Sequence, residues 1–66
     1  MKNRIKIERA IHNMTQEDLA KAIGVSRQTI NSIEKSRYIP STLLALKISQ
    51  LFEKSVNELF ELEETD

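Results

Sequence analysis

The run Thr15-Gln16-Glu17-Asp18-Leu19-Ala20-Lys21-Ala22-Ile23-Gly24-Val25-Ser26-Arg27-Gln28-Thr29-Ile30-Asn31-Ser32-Ile33-Glu34-Lys35 decides how the rest of the chain is read. Leu19, Ala20 and Ile23 lie at i, i+1 and i+4, the apolar stripe of a helix over 16–23. Thr15 precedes it as an N-cap, and Asp18 three residues on completes a capping box. Gly24 ends it, because the left-handed conformation of a helix stop is cheap for glycine. Ser26 then caps a second helix, 27–35, in which Ile30 and Ile33 point inward while Val25 closes the turn from below. Two helices that cross close to a turn need a small side chain where they approach, and Ala20 supplies it opposite Ile30. The stretch therefore predicts two short helices joined by a tight turn, the second with a polar outward face.

Around it, the chain reads as helix throughout. There is one Gly and one Pro among 66 residues, and no Asn-Gly or Asp-Gly pair to mark a hairpin. A first helix is expected from about Arg4 to His12, with Ile5, Arg9 and His12 on one side and Ile7, Ala10, Ile11 and Met14 supplying apolar contacts. Asn13 stops it, since Asn tolerates a left-handed backbone. After the short loop Ser36-Arg37-Tyr38-Ile39-Pro40, Ser41 caps a fourth helix, about Thr42 to Phe52, with Leu43, Leu46, Leu51 and Phe52 as its core face. Ser55 with Glu58 opens a fifth, about Val56 to Phe60. Residues 61–66 form an acidic tail.

Length and composition narrow the function. Sixty-six residues make one domain, 1–66, and a chain this small buries only about 60% of its unfolded surface. It has no Cys, hence no disulfide and no thiolate metal site. No apolar run is long enough to cross a membrane and no signal peptide is evident, so a cytoplasmic protein with no membrane partner is expected. Net charge is zero but unevenly spread. Residues 1–40 carry eight Lys/Arg against four Asp/Glu, and residues 41–66 carry two against six, so +4 faces −4. A basic front and an acidic back suggest one side for an anionic partner.

The outward face of the second helix points to that partner. With Ile30 and Ile33 inward, Gln28, Ser32 and Lys35 turn away from the core, and Arg27 and Asn31 flank them. Arg pairs with guanine O6 and N7, and Gln and Asn with adenine N6 and N7, so Arg27, Gln28, Asn31 and Ser32 are candidate readers of DNA bases in a major groove. Thr15 and Gln16, at a helix N-terminus, are candidate phosphate contacts, as are Thr29, Lys35, Arg37 and Tyr38. Capping alone also accounts for Thr15, and packing on Pro40 for Tyr38. Enzyme readings fail on inventory: one His, no Cys and no Gly-rich loop offer no metal site, no acid–base pair and no cofactor cradle, and no small-molecule ligand is evident.

From Asn3 to Phe60 the chain resembles the Cro/CI-type (Xre family) helix-turn-helix regulators, most of all the small stand-alone repressors. The resemblance rests on Thr15-Gln16-Glu17-Asp18-Leu19-Ala20, Gly24-Val25-Ser26-Arg27-Gln28-Thr29-Ile30, Ile33-Glu34, Arg37-Tyr38, Pro40-Ser41 and Leu44-Ala45-Leu46-Lys47-Ile48. It implies an all-α, five-helix, lambda-repressor-like fold, with a short antiparallel sheet from Lys2-Asn3-Arg4 and Phe60-Glu61-Leu62. It implies the base-reading roles given above and a structural pair between Arg9 and Glu34. It also implies a transcriptional repressor that binds an operator. The chain departs from the family where Asn13, Ser36 and Glu53 stand in slots often held by Gly, so the turn after the fourth helix is expected to differ. It departs again at Glu8, a slot the family keeps apolar, so the first helix is expected to sit slightly rotated.

A single helix reads too few base pairs for useful specificity, so a homodimer on a palindromic site is expected. Leu44, Val56, Leu59, Phe60 and Leu62 are its candidate interface, being more apolar surface than so small a monomer buries. The alternative is an antitoxin-type module that binds DNA and also a protein partner.

Overall fold

The caps do in space what they do in sequence. In the computed structural model, which describes residues 1–66, the elements run β1 (Lys2–Asn3), α1 (Ile5–Ile11), α2 (Gln16–Ile23), α3 (Arg27–Glu34), α4 (Thr42–Phe52), α5 (Val56–Leu59) and β2 (Phe60–Glu61). Thr15 Oγ1 accepts from the Asp18 N–H at 3.0 Å while the Thr15 N–H donates to Asp18 Oδ2 at 2.9 Å, a complete reciprocal box. Ser26, Ser41 and Ser55 accept in the same way from the N–H groups of Thr29, Leu44 and Glu58. The two termini pair antiparallel, Lys2 opposite Glu61 and Asn3 opposite Phe60. The expected sheet is present, two residues per strand, with Leu62 beyond it.

Four of the five helices, α1 to α4, stop by one device, while α5 runs into β2. Asn13, Gly24, Ser36 and Glu53 are left-handed, with φ of 54°, 76°, 57° and 54°. The residue after each donates to the carbonyl five residues back: Met14 to Arg9, Val25 to Ala20, Arg37 to Ser32 and Lys54 to Ser49. This 6→1 closure satisfies carbonyls that the helix end would leave bare. The turn after α4 thus keeps the left-handed stop although Glu53 occupies it, against the expectation drawn from the missing Gly. Space around Gly24 is open, so its backbone angle alone, not crowding, favours glycine there.

Ile5, Leu19, Ala20, Ile23, Ile30, Ile33, Ile48, Phe52, Leu59 and Phe60 make the core. Leu19, Ala20, Ile23, Ile30 and Ile33 are those read from periodicity. α1 differs: Ile7 and Ile11 are exposed at 48% and 64%, and Ala10 is exposed too, while Ile5 and Glu8 face inward. The inner side of α1 is the 5, 8, 9, 12 row that carries Arg9, which leaves the Ile7–Ile11 row outside. Its Met14 is half-buried against the core, as expected. α4 differs in part, since of its four expected core residues Phe52 alone is buried. Ile48 and Phe52, one turn apart, face the core, and Leu43, Leu46 and Leu51 do not.

The expected dimer residues divide in three. Leu59 and Phe60, at 1% and 9% exposure, lie inside this protomer's own core and are not free to form an interface. Leu44 is half-buried on the α3 side. Val56 and Leu62 keep accessible surface. Leu59 and Phe60 are needed to close so small a core, and exposed apolar surface remains at Leu62 and, outside the expected set, at Ile39, Leu43 and Leu46 among others.

Candidate nucleic-acid interface

The geometry of α3 follows from what grips its two ends. Gly24 turns the chain, Ser26 caps the start, and Ile30 and Ile33 anchor the inner side. Arg27 and Gln28 are then exposed at the open N-terminal end, with Thr29, Asn31 and Ser32 half-buried behind them. Asn3 holds the other end: its Nδ2 donates to the Ile33 carbonyl at 2.8 Å, and its Oδ1 accepts from the Ile5 N–H at 3.2 Å. Ser36 Oγ donates to the Met1 carbonyl at 2.9 Å, a second tie between the N-terminal segment and the end of α3. The Met1 ammonium in turn pairs with Glu63 and Asp66 in the tail. None of these ties was read from the sequence; apart from the local Asn3–Ile5 bond, each joins residues about thirty or more positions apart with no pattern that links them.

Between α1 and α3 lies an ion pair. Arg9 Nε donates to Glu34 Oε2 at 2.6 Å and Arg9 Nη2 to Glu34 Oε1 at 3.1 Å, while Nη1 holds the Met14 carbonyl at 2.9 Å. The Arg9 and Glu34 side chains are only 14% and 6% exposed. The Glu34 carboxylate holds the Arg9 guanidinium above its ordinary pKa, a gain that outweighs the opposing effect of burial. Gln16 joins the pair: its Nε2 donates to Glu34 Oε1 at 3.2 Å and to Asn31 Oδ1 at 3.4 Å. Both amide hydrogens of Gln16 are thereby engaged within the protein. The Thr15 hydroxyl and N–H are engaged in the capping box, which also keeps the Asp18 carboxyl below its usual range, chiefly through the Thr15 N–H. What the start of α2 still offers outward is first-turn backbone N–H, which has no partner inside a helix.

Two shallow depressions bring the sequence-predicted residues together. One, of about 400 Å³, has Gln28, Thr29, Ser32 and Tyr38 on its walls with Val25 and Leu44 among them. Tyr38 thus lies on the α3 side, while Pro40 lines a different hollow. The second, about 350 Å³ and without an apolar residue, is formed by Arg9, Thr15, Gln16, Glu17 and Arg27. Lys35 and Arg37 are exposed past the end of α3, and neither they nor Arg27 are in an ion pair.

Glu8 is the residue without an account in pattern. It is 4% exposed, and its Oε2 has no hydrogen-bond partner. His12 stands 4.0 Å from that oxygen, donates its Nδ1–H to the Glu8 carbonyl 2.9 Å away, and lays its ring 5.1 Å from that of Phe52. His12 is thus a satisfied helix residue, as its isolation in the sequence suggested.

The helix-turn-helix family model matches residues 5–59, nearly the whole of this arrangement. The chain belongs to the Xre-type helix-turn-helix family. It is 53% identical over 66 residues to an HTH-type transcriptional regulator of Methanocaldococcus jannaschii, covering 100% of both chains. It is 48% identical over 64 residues to the HTH-type transcriptional regulator YgzD of Bacillus subtilis, covering 97% of each. Among solved structures it is similar to the restriction-modification controller protein C.AhdI of Aeromonas hydrophila, with a TM-score of 0.78, 26% identity and 86% of each chain covered. This Xre-type protein is a transcriptional regulator with a helix-turn-helix DNA-binding domain. No helix in it is long and apolar enough to cross a membrane.

Proposed function

We propose that this regulator is a repressor that binds a palindromic operator as a homodimer, with the outward face of α3 reading bases and the residues around it gripping phosphate. The observation that carries the reading is the open N-terminal end of α3. Arg27 and Gln28 stand exposed there, Asn31 and Ser32 follow one turn on, and the basic half of the chain surrounds them. Arg and Gln at the leading end of a recognition helix are the side chains whose donors and acceptors match base edges in the major groove. Lys35 and Arg37, free of carboxylate partners, supply charge for phosphate contacts, and the first-turn N–H groups of α2 supply a further one. Thr15, Gln16, Thr29 and Tyr38 border the same surface.

The dimer rests on apolar surface. Ile39 and Leu43 are 64% and 63% exposed and Leu46 is 54% exposed. Beside them Met1, Pro40, Ala45 and Val56 line a hollow of about 240 Å³. Large apolar side chains gathered on one side of a 66-residue protein favour self-association by a two-fold axis. That axis sets two copies of α3 about 34 Å apart, one turn of DNA.

Selection from random duplex DNA tests the whole reading. The expected outcome is an inverted repeat with half-sites about ten base pairs apart, bound by two protomers, and silencing of a reporter that carries the site across its promoter. Recovery of a single half-site with one protomer bound overturns the palindrome. Activation of the reporter overturns repression. Replacing Leu46 by Glu should leave a folded monomer in sedimentation; an undiminished dimer would place the interface away from α4.

A further inference from the structure

We infer that the paired terminal strands carry the geometry of the dimer to α3, with Asn3 and Ser36 as positioning residues that hold two recognition helices at one spacing and angle. The inference rests on the two-fold dimer and the base reading proposed above, and names what keeps them in register. α3 packs chiefly on α2, and α4 packs on α2 and α5. The end of α3 farthest from the α2 turn is therefore held by other ties. The Ile33 carbonyl accepts from the Ser36 N–H at 3.0 Å and also from Asn3 Nδ2 at 2.8 Å. Asn3 Oδ1 accepts in turn from the Ile5 N–H. These partners are of opposite kind, so the amide has one orientation: reversed, it would set NH2 against N–H and oxygen against oxygen.

Asn3 belongs to β1, and its partner across the ladder is Phe60. The Arg4 N–H donates to the Leu59 carbonyl at 2.9 Å and extends the pairing by one bond. Phe60 and Met1 line the hollow that also holds Ile39 and Leu46, the surface proposed to seat the second copy. The Met1 carbonyl accepts from the Ser36 hydroxyl at 2.9 Å. Two short routes thus run from the hollow to the end of α3: Phe60 to Asn3 to Ile33, and Met1 to Ser36. Slack routes would let each copy of α3 swivel about the α2 turn, and the pair would accept half-sites at more than one separation. Taut routes admit one, since each inserted base pair moves a half-site by about 3.4 Å and about 35°. Neither residue needs to touch DNA to have this effect.

The test measures affinity on the selected operator, on versions with one base pair added or removed between the half-sites, and on an isolated half-site. Unmodified protein should bind the altered spacings far more weakly. Asn3→Asp keeps an acceptor for the Ile5 N–H but sets a carboxylate against the Ile33 carbonyl. Ser36→Ala loses one hydroxyl and keeps the backbone. Each should shrink the spacing penalty by about fivefold, with base preferences inside the half-site and the dimer's dissociation constant in sedimentation unchanged. Thermal melts check folding, and if Asn3→Asp fails to fold, Ser36→Ala still decides. An unchanged spacing penalty in the folded variants overturns the inference and leaves the dimer and base reading intact. So does equal weakening at every spacing, the mark of ties that only stabilise the fold. If the unmodified protein binds the operator as a single protomer, the palindromic reading falls, and this inference with it.

Discussion

Arg9 and Glu34, 25 residues apart, meet through two parallel hydrogen bonds of 2.6 and 3.1 Å that tie α1 to the end of α3. The pair is mostly buried, so breaking one side leaves a charge stranded in a poor solvent for it. Arg9→Met or Glu34→Leu alone should destabilise the protein by about 3 kcal/mol in urea unfolding. The double change removes both charges and should recover at least about 1 kcal/mol of the summed loss. Strictly additive losses would mean that the two residues act independently.

Base reading and phosphate contact leave different signatures. Gln28→Ala should weaken binding to the best site by about 1–3 kcal/mol and relax the preference at one base pair. Lys35→Ala should weaken all sequences alike and lower the slope of log affinity against log salt by about 1. Titrations at several salt concentrations on matched and mismatched sites separate the two. A uniform loss for Gln28→Ala would remove it from the readers.

Glu53 sits at φ 54° with no side-chain partner, a conformation that strains any residue with a Cβ. Glycine relieves that strain but adds freedom to the unfolded chain, so the two effects partly offset. Glu53→Gly should still stabilise by about 0.5–1 kcal/mol, read as a rise of a few degrees in Tm. An unchanged or lower Tm would show that the turn after α4 tolerates Glu at no cost.

The capping box should give the fold an acid limit. Asp18 has a lower pKa folded than its ordinary 3.8, because the ionised carboxylate accepts from the Thr15 N–H. Its stabilising effect is therefore complete above that ordinary value and fades as pH falls through the lower folded one. Asp18→Asn should cost stability at neutral pH, and the gap to the unmodified protein should narrow below about pH 4. Urea midpoints measured across that range decide it; a gap that stays constant down to pH 2 would deny the carboxylate this role.

Some of this architecture is a property of short stretches. Thr15, Ser26, Ser41 and Ser55 start helices because each side chain reaches an N–H three residues on, and Gly24 stops one because of its own backbone freedom. α2 and α3 could be oriented from sequence because each has one narrow apolar stripe and a polar remainder. That stripe placed Ile30 and Ile33 inward and left Arg27 and Gln28 outside before any partner was known, and the remaining helix stops at Asn13, Ser36 and Glu53 fell where glycine-like slots were read.

α1 and α4 are another matter. Each carries apolar residues around more of its circumference than one core can cover: Ile5, Ile7 and Ile11 in the first, Leu43, Leu44, Leu46, Ile48, Leu51 and Phe52 in the second. Period alone leaves several faces equally apolar, and only packing against the other helices selects Ile5 and the Ile48–Phe52 row. The same holds for the polar ties. Asn3 on the Ile33 carbonyl, and Gln16 between Glu34 and Asn31, join side chains that approach only after the helices have docked. Local sequence determined where the helices start, stop and turn, since those choices rest on bonds spanning three to five residues. The tertiary structure decided which faces are buried and how the recognition helix is held, since those depend on surfaces that sequence neighbours do not share.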